Sequence, residues 1–406
     1  MIRTNYMDNK NTIHGDILGL ARKLHPRQIE WRRHLHSHPE LSDEETQTTA
    51  YLVKELKALG LRIRPLNMTT GVIAELDGRS SSRTVAIRSD IDALPIAEQT
   101  GLPFASVTPG KMHACGHDVH MATVLGTAAV LAQIRSEFDG RVRFLFQPAE
   151  EMPPGGARPM IKNGALDKVG AIFGLHVDPH LKTGKIGLRD GPTMASVFDF
   201  DLTIHGRGGH AARPQDAVDA IVIAAEVVNS LQTIISRDID PIDSAAITFG
   251  KVSGGVARNV IADRVQLTGT VRTLSPKLFR KIPLLLKRTV GGICKARGGR
   301  FTLQAVADYP VLNNDSAINA LYTRTYTDLF GRSRIAVTDP VLGGEDFACY
   351  LQKVPGAMFR LGIRNPKIGA DKPWHSPEFI VDEDAMYFGT SLLAAAAVDY
   401  LNGRTA

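Results

Sequence analysis

The chain has 406 residues, of which 43% are hydrophobic and 22% charged, a composition typical of soluble globular proteins and long enough for two domains. Its formal net charge of +6 is spread out without a long Lys/Arg run, which argues against nucleic-acid binding. Three cysteines argue against a disulfide framework and favour a reducing cytoplasm. We recognise no secretory signal and no membrane-spanning stretch, so we expect a cytoplasmic protein without a membrane partner.

The N-terminal segment is predicted to be helical. Residues 28–35 are typical of the end of one helix, which the sequence HSHPELS then breaks. Ser42 and Glu45 have the spacing of a capping box, in which a hydroxyl and a carboxylate bind free amides at a helix start. We therefore expect a second helix from this point, ending at Gly60.

Three histidines, His34, His36 and His38, lie at the end of the first helix. A metal site is one interpretation of their spacing. Because alternate residues of a helix do not face one another, we expect no metal site here.

A different pattern begins near residue 84, where short apolar segments alternate with helical ones such as 120–135. The predicted strands cover residues 84–88, 142–146, 171–175 and 358–363. This order is typical of an α/β fold with a mainly parallel sheet and helices on both faces.

Acids and histidines recur where these strands end. In parallel sheets, ligands bind outside the carboxyl ends of the strands, so we expect these side chains to lie together in one site. The predicted group consists of Asp92, Cys115, His117, Glu150, Glu151, His176 and His375.

The stretch KMHACGHDVH (111–120) suggests a metal ion. Cys115 and His117 offer a thiolate and an imidazole, ligands of borderline-soft divalent metals, and Gly116 between them permits a tight turn. A loop that is merely rich in histidine is the alternative. Counted with one glutamate and the two histidines at strand ends, five ligands exceed the four of a closed structural site. This favours two metals sharing one ligand.

Glu150 and Glu151 are neighbours after the second of these strands. In extended backbone they would point to opposite sides, so that one carboxylate binds metal while the other takes a proton from a metal-activated water. A solvated pair of loop glutamates is the alternative. The preceding strand and Gln-Pro turn favour the catalytic interpretation.

The pattern changes near Pro192, where the order strand, helix, strand, strand, helix, strand predicts a ferredoxin-like unit. Its elements are expected at 197–205, 217–235, 245–252, 261–273, 276–297 and 300–306. The first pattern resumes after Tyr309. We therefore expect an inserted lid and dimerisation domain at 193–307 between two parts of a catalytic domain, 1–192 and 308–406.

Sequence segments from one end of the chain to the other carry a family resemblance. They are RSDIDALPI (88–96), MHACGHDVH (112–120), QPAEE (147–151), GLHV (174–177), GGHAARP (208–214), ARNVIAD (257–263), GTVRTL (269–274), GGEDFACY (343–350) and WHSPEF (374–379). In them the chain resembles the dinuclear-metal aminoacylase/carboxypeptidase family, and within it the amidohydrolase group of hippurate hydrolase and auxin–amino acid conjugate hydrolases. The resemblance implies a zinc-exopeptidase-like catalytic domain.

The resemblance also implies residue roles. Glu150 would be the general acid/base and Asp92 an acid that orients the site. His210 would stabilise the oxyanion, reaching the partner subunit's site in dimeric relatives. Asn259 and Arg272 would hold the substrate, since arginine suits a carboxylate; an exposed histidine and a surface salt-bridge arginine are the alternatives at 210 and 272. The implied metal ligands are Cys115 as the bridge, His117, Glu151, His176 and His375.

The chain departs from the family pattern at two positions. Gln215 stands where many relatives have a histidine, which affects lid contacts but not the metal centre. Asp90 stands where more distant branches use a histidine ligand. Those branches lack the Cys-x-His pair, so we interpret Asp90 as a mark of the group.

The implied function is metal-dependent hydrolysis of the amide bond of N-acyl amino acids, hippurate-like or related. Two divalent ions per subunit (zinc, manganese, cobalt or nickel) and a homodimer through the lid are expected with it. The alternatives are a metal-dependent carboxypeptidase or dipeptidase acting on short peptides, and a non-catalytic small-molecule binding protein on the same fold. A zinc nucleobase deaminase is excluded, because its Pro-Cys-x-x-Cys segment is absent.

Overall fold

The expected alternation of strands and helices is present in the computed structural model, which describes residues 2–80 and 83–404. The helices are α1 (Ile2–Ser37), α2 (Thr46–Ala58), α3 (His117–Gln133), α4 (Ala157–Lys162), α5 (Ala220–Arg237), α6 (Pro276–Ala296), α7 (Ser316–Phe330), α8 (Ala348–Leu351) and α9 (Ala385–Leu401). The strands are β1 (Arg62–Ile63), β2 (Val72–Asp77), β3 (Thr84–Asp90), β4 (Arg141–Gln147), β5 (Ala171–Lys182), β6 (Ile186–Leu188), β7 (Gly191–Met194), β8 (Ser196–His205), β9 (Gly209–His210), β10 (Ala245–Gly254), β11 (Val260–Ile261), β12 (Arg264–Thr273), β13 (Arg300–Tyr309), β14 (Leu312–Asn314), β15 (Ile335–Val337) and β16 (Gly356–Arg364).

The chain divides into two compact units. Unit 1 comprises the chain up to Gly191, Asn313–Asp339 and the chain from Cys349 onward, whereas unit 2 comprises Pro192–Leu312 and Pro340–Ala348. The segment 340–348 therefore groups with the inserted unit, although the sequence assigns it to the second part of the catalytic domain. The reason is backbone pairing: the N–H of Ala195 donates to the carbonyl oxygen of Val341 at 3.1 Å.

Unit 1 is built on an eight-stranded sheet in the order β1-β2-β4-β3-β5-β16-β6-β15. The four central strands β4, β3, β5 and β16 are mutually parallel, while β1 and β2 on one flank and β6 beside β16 pair antiparallel. Every residue of β3 is buried. Because successive side chains point to opposite faces, both faces of the sheet are covered. The predicted α/β class with a mainly parallel sheet is confirmed.

Several element boundaries differ from the prediction. Helix α3 starts three residues earlier, at His117, and β5 runs beyond the expected 171–175, so that His176 lies within the strand. The flanking strands β1, β2, β6 and β15 were not predicted. Helix α2 ends near Gly60 as expected, where the glycine has a φ of 80°.

The capping box predicted at Ser42 and Glu45 does not form. Two of the first free amides of α2 donate instead to the carboxylate of Glu40, at 2.8 and 3.1 Å. The Ser42 hydroxyl donates to Asp92 at 2.7 Å, and Glu45 accepts the N–H of Ala149 at 2.8 Å. Both side chains are used at the strand ends of the sheet, so they are not free to cap the helix.

Unit 2 contains the predicted order of six elements, β8, α5, β10, β12, α6 and β13. Its four strands form an antiparallel sheet in the order β10-β12-β8-β13, which is the ferredoxin-like arrangement. Exposed and buried residues alternate along β12, so one face of the sheet packs on α5 and α6 and the other faces solvent. Ile261, expected at the start of this strand, instead lies in β11, which pairs with β9.

Helix α5 is the one helix in the described residues that is long and apolar enough to cross a membrane by length and composition. Its buried side chains recur at the spacing of one helix face and join the core of unit 2, as expected for a helix packed on a sheet. They are Ala220, Ile223, Ala224, Val227, Leu231 and Ile234.

Candidate metal centre

The five expected ligands lie close together in unit 1. The ligand atoms of Cys115, His117 and His176 all lie within 4.8 Å of one another, and so do those of Cys115, Glu151 and His375. Cys115 belongs to both groups. Each group could hold one cation, and Cys115 would then be a ligand of both.

Gly116 allows this approach of Cys115 and His117. Its φ of 87° lies in the left-handed region that favours glycine, and it is the residue from which α3 begins. A Cβ at this position would lie 2.5 Å from a methyl carbon of Val177. The turn between the two candidate ligands therefore requires a residue without a side chain.

Two of the histidines present a free nitrogen to the centre. Nδ1 of His117 lies 2.9 Å from the carbonyl oxygen of Asp92, and Nδ1 of His176 lies 2.8 Å from that of Val177. A carbonyl oxygen only accepts, so each Nδ1 carries a hydrogen, and in the neutral imidazole that a metal binds Nε2 has the lone pair. Histidine ligands in metalloproteins are held in this way.

Within the described residues, two buried atoms of the candidate ligands have no hydrogen-bond partner, Nε2 of His117 and Oε1 of Glu151. Such atoms are costly unless something binds them. They lie 3.8 Å apart, and Nε2 of His176 lies 3.6 Å from the Cys115 sulfur. These orphaned donor atoms fit a pair of divalent metal ions.

The electrostatics of the centre also fit a bound cation. Burial alone would lower the pKa of His117, but Asp90, Asp92 and Glu151 outweigh it and raise that pKa to about 10. Burial, and then the carboxylates beside it, raise the pKa of the Cys115 thiol well above its ordinary value. The centre thus carries more negative than positive charge. A metal ion would balance this charge and deprotonate the thiol.

Asp92 supports two of the candidate ligands at once. Its carbonyl oxygen holds His117, while its carboxylate accepts the N–H of Glu151 at 2.9 Å and the hydroxyl of Ser42. Burial would raise the pKa of Asp92, but the hydrogen bond and charge of His117, together with the hydrogen bonds from Glu151 and Ser42, outweigh it and lower that pKa. Asp92 is therefore an anion that hydrogen-bonds two candidate ligands and helps to hold them in place.

Glu150 and Glu151 do not diverge as an extended backbone would require. A carboxylate oxygen of each lies within 4 Å of Nε2 of His117, at 3.9 and 3.8 Å. The chain turns sharply before them, because Ala149 has a φ of 53°. Both carboxylates consequently face the same centre.

Glu45 holds this turn, a function that the sequence did not indicate. Its carboxylate accepts the N–H of Ala149 at 2.8 Å, and the carbonyl oxygen of Ala149 accepts the N–H of Gly156 at 3.2 Å. Burial raises the pKa of Glu45 to about 7. Since Glu45 and Ala149 are 104 residues apart, only the folded chain reveals their contact.

Asp90 belongs to a buried ion-pair network beside the centre. His120 accepts the N–H of Val177 at Nε2, 2.9 Å away, so its hydrogen lies on Nδ1 and is donated to Asp90 at 2.6 Å. Arg88 also donates to Asp90, at 2.6 Å. Although Asp90, His117 and His120 form a possible ligand group, both nitrogens of His120 are used in hydrogen bonds.

The three helical histidines are not brought to one metal group among the described residues. His36 is buried and bonded to Asp118 and Glu98, at 2.8 and 3.1 Å. The rings of His34 and His38, which are four residues apart, lie 4.6 Å apart and are tilted by 31°. Spacing by two keeps His36 apart from the others, as expected.

The substrate residues expected in the insertion lie in unit 2. His210 and Asn259 line one open cavity of about 800 Å³, in which the N–H of Ala211 donates to the carbonyl oxygen of Asn259 at 3.1 Å. Arg272 lies on β12, outside that cavity lining, and donates to Thr270 at 3.2 Å. The structure thus brings the first two together and leaves Arg272 separate.

Comparison with known proteins identifies relatives along nearly the whole chain. The model of peptidase family M20/M25/M40 matches residues 86–399. The chain is 40% identical over 376 residues to N-acetylcysteine deacetylase of Bacillus subtilis (strain 168), covering 92% of this chain and 97% of that protein. It is 38% identical over 374 residues to IAA-amino acid hydrolase ILR1-like 5 of Arabidopsis thaliana, covering 91% and 86%.

A solved structure shares the fold. A Bacillus subtilis protein described as a dinuclear metal binding peptidase from the M20 family superposes with a TM-score of 0.83 at 37% sequence identity. The match covers 94% of this chain and 99% of that one.

Proposed function

Since this chain belongs to peptidase family M20/M25/M40, it is a metal-dependent amidohydrolase, and we propose that it hydrolyses the amide bond of N-acyl amino acids. The observation that supports the chemistry is the pair of ligand groups sharing Cys115, with Glu150 beside them. The proposed substrate class is inferred from two relatives, which are named N-acetylcysteine deacetylase and IAA-amino acid hydrolase.

Glu150 is proposed as the general base and acid. When bound, a metal pair lowers the pKa of a water and polarises the acyl carbonyl. Glu150 then accepts the proton of the attacking water and delivers it to the leaving amine. Its side chain is buried, and a carboxylate oxygen lies 3.9 Å from Nε2 of His117. Glu150 therefore lies at the centre, but neither group of ligand atoms that contains Cys115 includes it.

His210 is proposed to stabilise the oxyanion. The N–H of Ala212 donates to its Nδ1 at 3.0 Å, so the hydrogen of the neutral imidazole lies on Nε2. An Nε2–H on an exposed side chain can donate to negative charge on an acyl oxygen.

Asn259 and Arg272 are proposed to bind the substrate. Asn259 lines the same cavity as His210. Arg272 has five N–H donors, of which it uses one on Thr270 and one, at 3.5 Å, on the carbonyl oxygen of Leu342. The remaining donors can bind an amino-acid carboxylate in a fork.

The test is hydrolysis of benzoyl, acetyl and indoleacetyl amino acids with and without a chelator, followed by added Mn²⁺ or Zn²⁺. We expect cleavage that the chelator abolishes and metal restores. Cleavage that survives a chelator in protein shown to be metal-free would contradict the proposal. The relative rates of the three acyl groups would then rank the acyl pocket.

A peptidase acting on short peptides is the second candidate. The family description and the solved relative's description both include the word peptidase. Dipeptides with a free amine, assayed beside their N-acetyl forms, separate the two. Faster cleavage of the free dipeptides would favour the peptidase.

We propose that two copies associate through unit 2. Strand β10 is an edge of its sheet, and its Val252 is 61% exposed. An apolar cavity of about 460 Å³ lies between this strand and α5, where Ile221 and Val228 contribute to the lining. An edge strand flanked by apolar side chains suits pairing with a second copy.

The cytoplasmic location stays a prediction. Cys115, Cys294 and Cys349 are all buried, and none of them forms a disulfide within the described residues. Buried thiols of this kind suit a reducing compartment.

A further inference from the structure

His375 differs from the other candidate ligands in how it is held. It lies on the loop between β16 and α9, and its side chain is 54% exposed. Its φ of 63° is in the left-handed region, which is unfavourable for a residue with a Cβ. A strained conformation persists only when the surrounding structure holds it.

The neighbouring Trp374 supplies one such contact. Its indole Nε1–H donates to the carbonyl oxygen of Val177 at 3.1 Å, directly after His176 in β5. Its ring meets the ring of His176 edge-on at 5.8 Å and that of His180 at 5.5 Å. The guanidinium carbon of Arg360 lies 5.8 Å from the ring centre. Trp374 is therefore packed against the part of β5 that carries His176, another candidate ligand.

A backbone hydrogen bond supplies the second contact. The N–H of His375 donates to the carbonyl oxygen of Ala114 at 2.9 Å, and Ala114 precedes Cys115. The segment Trp374–His375 thus joins the turn that carries Cys115 to the strand that carries His176. The two contacts together orient His375 toward Glu151, whose carboxylate lies 3.6 Å from its Nε2.

We propose that Trp374 is a positioning residue for the second metal position, the one formed by Cys115, Glu151 and His375. The proposal rests on the proposed function, because it takes these residues as ligands. When Trp374 is docked on Val177, His375 keeps its left-handed conformation and completes this position. At the other position, His117 and His176 are buried and each is held at Nδ1 by a backbone carbonyl oxygen, so we expect this position to depend less on the loop.

The experiment measures metal binding without substrate. Metal-free wild type, Trp374→Phe and Trp374→Ala are titrated with Mn²⁺, by calorimetry and by electron paramagnetic resonance of the coupled ion pair. Trp374→Phe keeps a ring but loses the N–H donor. We expect the affinity for the second equivalent to fall about tenfold in Trp374→Phe and about a hundredfold in Trp374→Ala, because contacts behind a ligand change affinity by these factors. The affinity for the first equivalent stays within about twofold.

Trp31 provides the matched control, since it is the other of the two tryptophans in the chain. It is buried, and its indole N–H donates to Glu55 at 2.8 Å, in contact with none of the candidate ligands. Trp31→Phe should bind two equivalents like wild type. It also leaves Trp374 as the sole tryptophan, so its fluorescence should change as Co²⁺ fills the second position.

Each outcome has a definite meaning. Two equivalents with wild-type affinity in Trp374→Ala, or equal weakening of both equivalents, would overturn the positioning role while leaving the metal pair and the proposed function intact. Fewer than two equivalents in wild type would overturn the metal pair itself. If Trp374→Ala does not fold by circular dichroism, Trp374→Phe decides the matter. An inactive wild type that binds two metals would count against the proposed substrate and not against Trp374.

Discussion

At the scale of single residues, the candidate centre depends on which nitrogen of each imidazole is free. His117 and His176 each donate a hydrogen bond from Nδ1 to a backbone carbonyl oxygen, which leaves Nε2 for a metal. His120, three residues from His117, receives a backbone N–H at Nε2 and has no free nitrogen. The stretch 111–120 contains both His117 and His120, but only their hydrogen-bond partners show which of the two has a nitrogen left for a metal.

Glu150→Gln tests the proposed proton carrier. The amide keeps the shape of the side chain but cannot accept a proton, so we expect kcat to fall by about 10²–10⁴-fold. Two metals should remain bound, since the group formed by Cys115, Glu151 and His375 does not contain Glu150. Steady-state kinetics and metal analysis measure both quantities. Glu44→Gln, an exposed glutamate paired with Lys111, is the control. Wild-type turnover in Glu150→Gln would remove Glu150 from the mechanism.

Glu45 should affect both stability and turnover. Its carboxylate holds the N–H of Ala149, and losing a buried acceptor costs about 1–3 kcal/mol. Glu45→Ala should therefore be destabilised and less active, because the turn that presents Glu150 loses its support. Glu45→Gln keeps an acceptor oxygen and should retain most activity. Urea unfolding and kcat of the three proteins test this, and equal effects of both substitutions would contradict it.

The pH dependence of Glu45 has a defined sign in metal-free protein. Burial raises its pKa from 4.5 to about 7, so the folded state favours the protonated form. This contribution to stability is fully present below about pH 4.5 and is lost as the pH rises to about 7. Glu45→Gln stays neutral. It should therefore gain stability relative to wild type across that window, measured by urea unfolding in the presence of a chelator; a constant difference would contradict the assignment.

At the scale of elements, continuous apolar runs and strand order were sufficient to predict the central sheet. Its four strands are almost entirely buried on both faces, so they could be predicted from their apolar composition. The ligands could be predicted because metal-binding residue types recur within or after these strands. The capping box failed for a different reason. Ser42 and Glu45 have the right local spacing, but their partners Asp92 and Ala149 are 50 and 104 residues away.

Trp374 and Ala149 illustrate the same limit of local pattern. Neither the indole contact with Val177 nor the left-handed turn before Glu150 has a local signature. Both arise from packing between segments distant in the chain. Residue type and strand order were therefore sufficient to collect the ligands, whereas the contacts that aim them required the folded structure.

Gly116→Ala tests the turn that begins α3. Gly116 and Gly60 both have positive φ, 87° and 80°, but a Cβ at 116 meets Val177 at 2.5 Å whereas nothing lies within 4 Å at 60. Gly60→Ala should cost about 1 kcal/mol from backbone strain alone. Gly116→Ala should cost about 1–3 kcal/mol more from overpacking and should weaken metal binding. Denaturant unfolding and metal titration compare the pair. Equal losses in both variants would show that the Val177 contact is relieved without cost.

At the scale of the whole molecule, the proposed association through unit 2 makes a prediction that is independent of the metal centre. In a two-fold symmetric pair each substitution enters the interface twice, so one charge on the edge of β10 has a doubled effect. Val252→Lys places a charge on an exposed edge position beside the apolar cavity lined by Ile221 and Val228. We expect the dissociation constant of the pair to rise by at least about a hundredfold, because burying lysine without a partner is costly.

Light scattering after size exclusion measures this change over a range of concentrations. Ile368→Lys is the matched control, since Ile368 is 52% exposed but belongs to unit 1. It should leave the association unchanged. If His210 acts in the partner's site, monomeric Val252→Lys should also lose turnover while it still binds two metals. If His210 acts within its own subunit, that monomer should retain turnover. A Val252→Lys protein that remains a dimer would place the interface elsewhere, because a lysine within paired edge strands disrupts their contact.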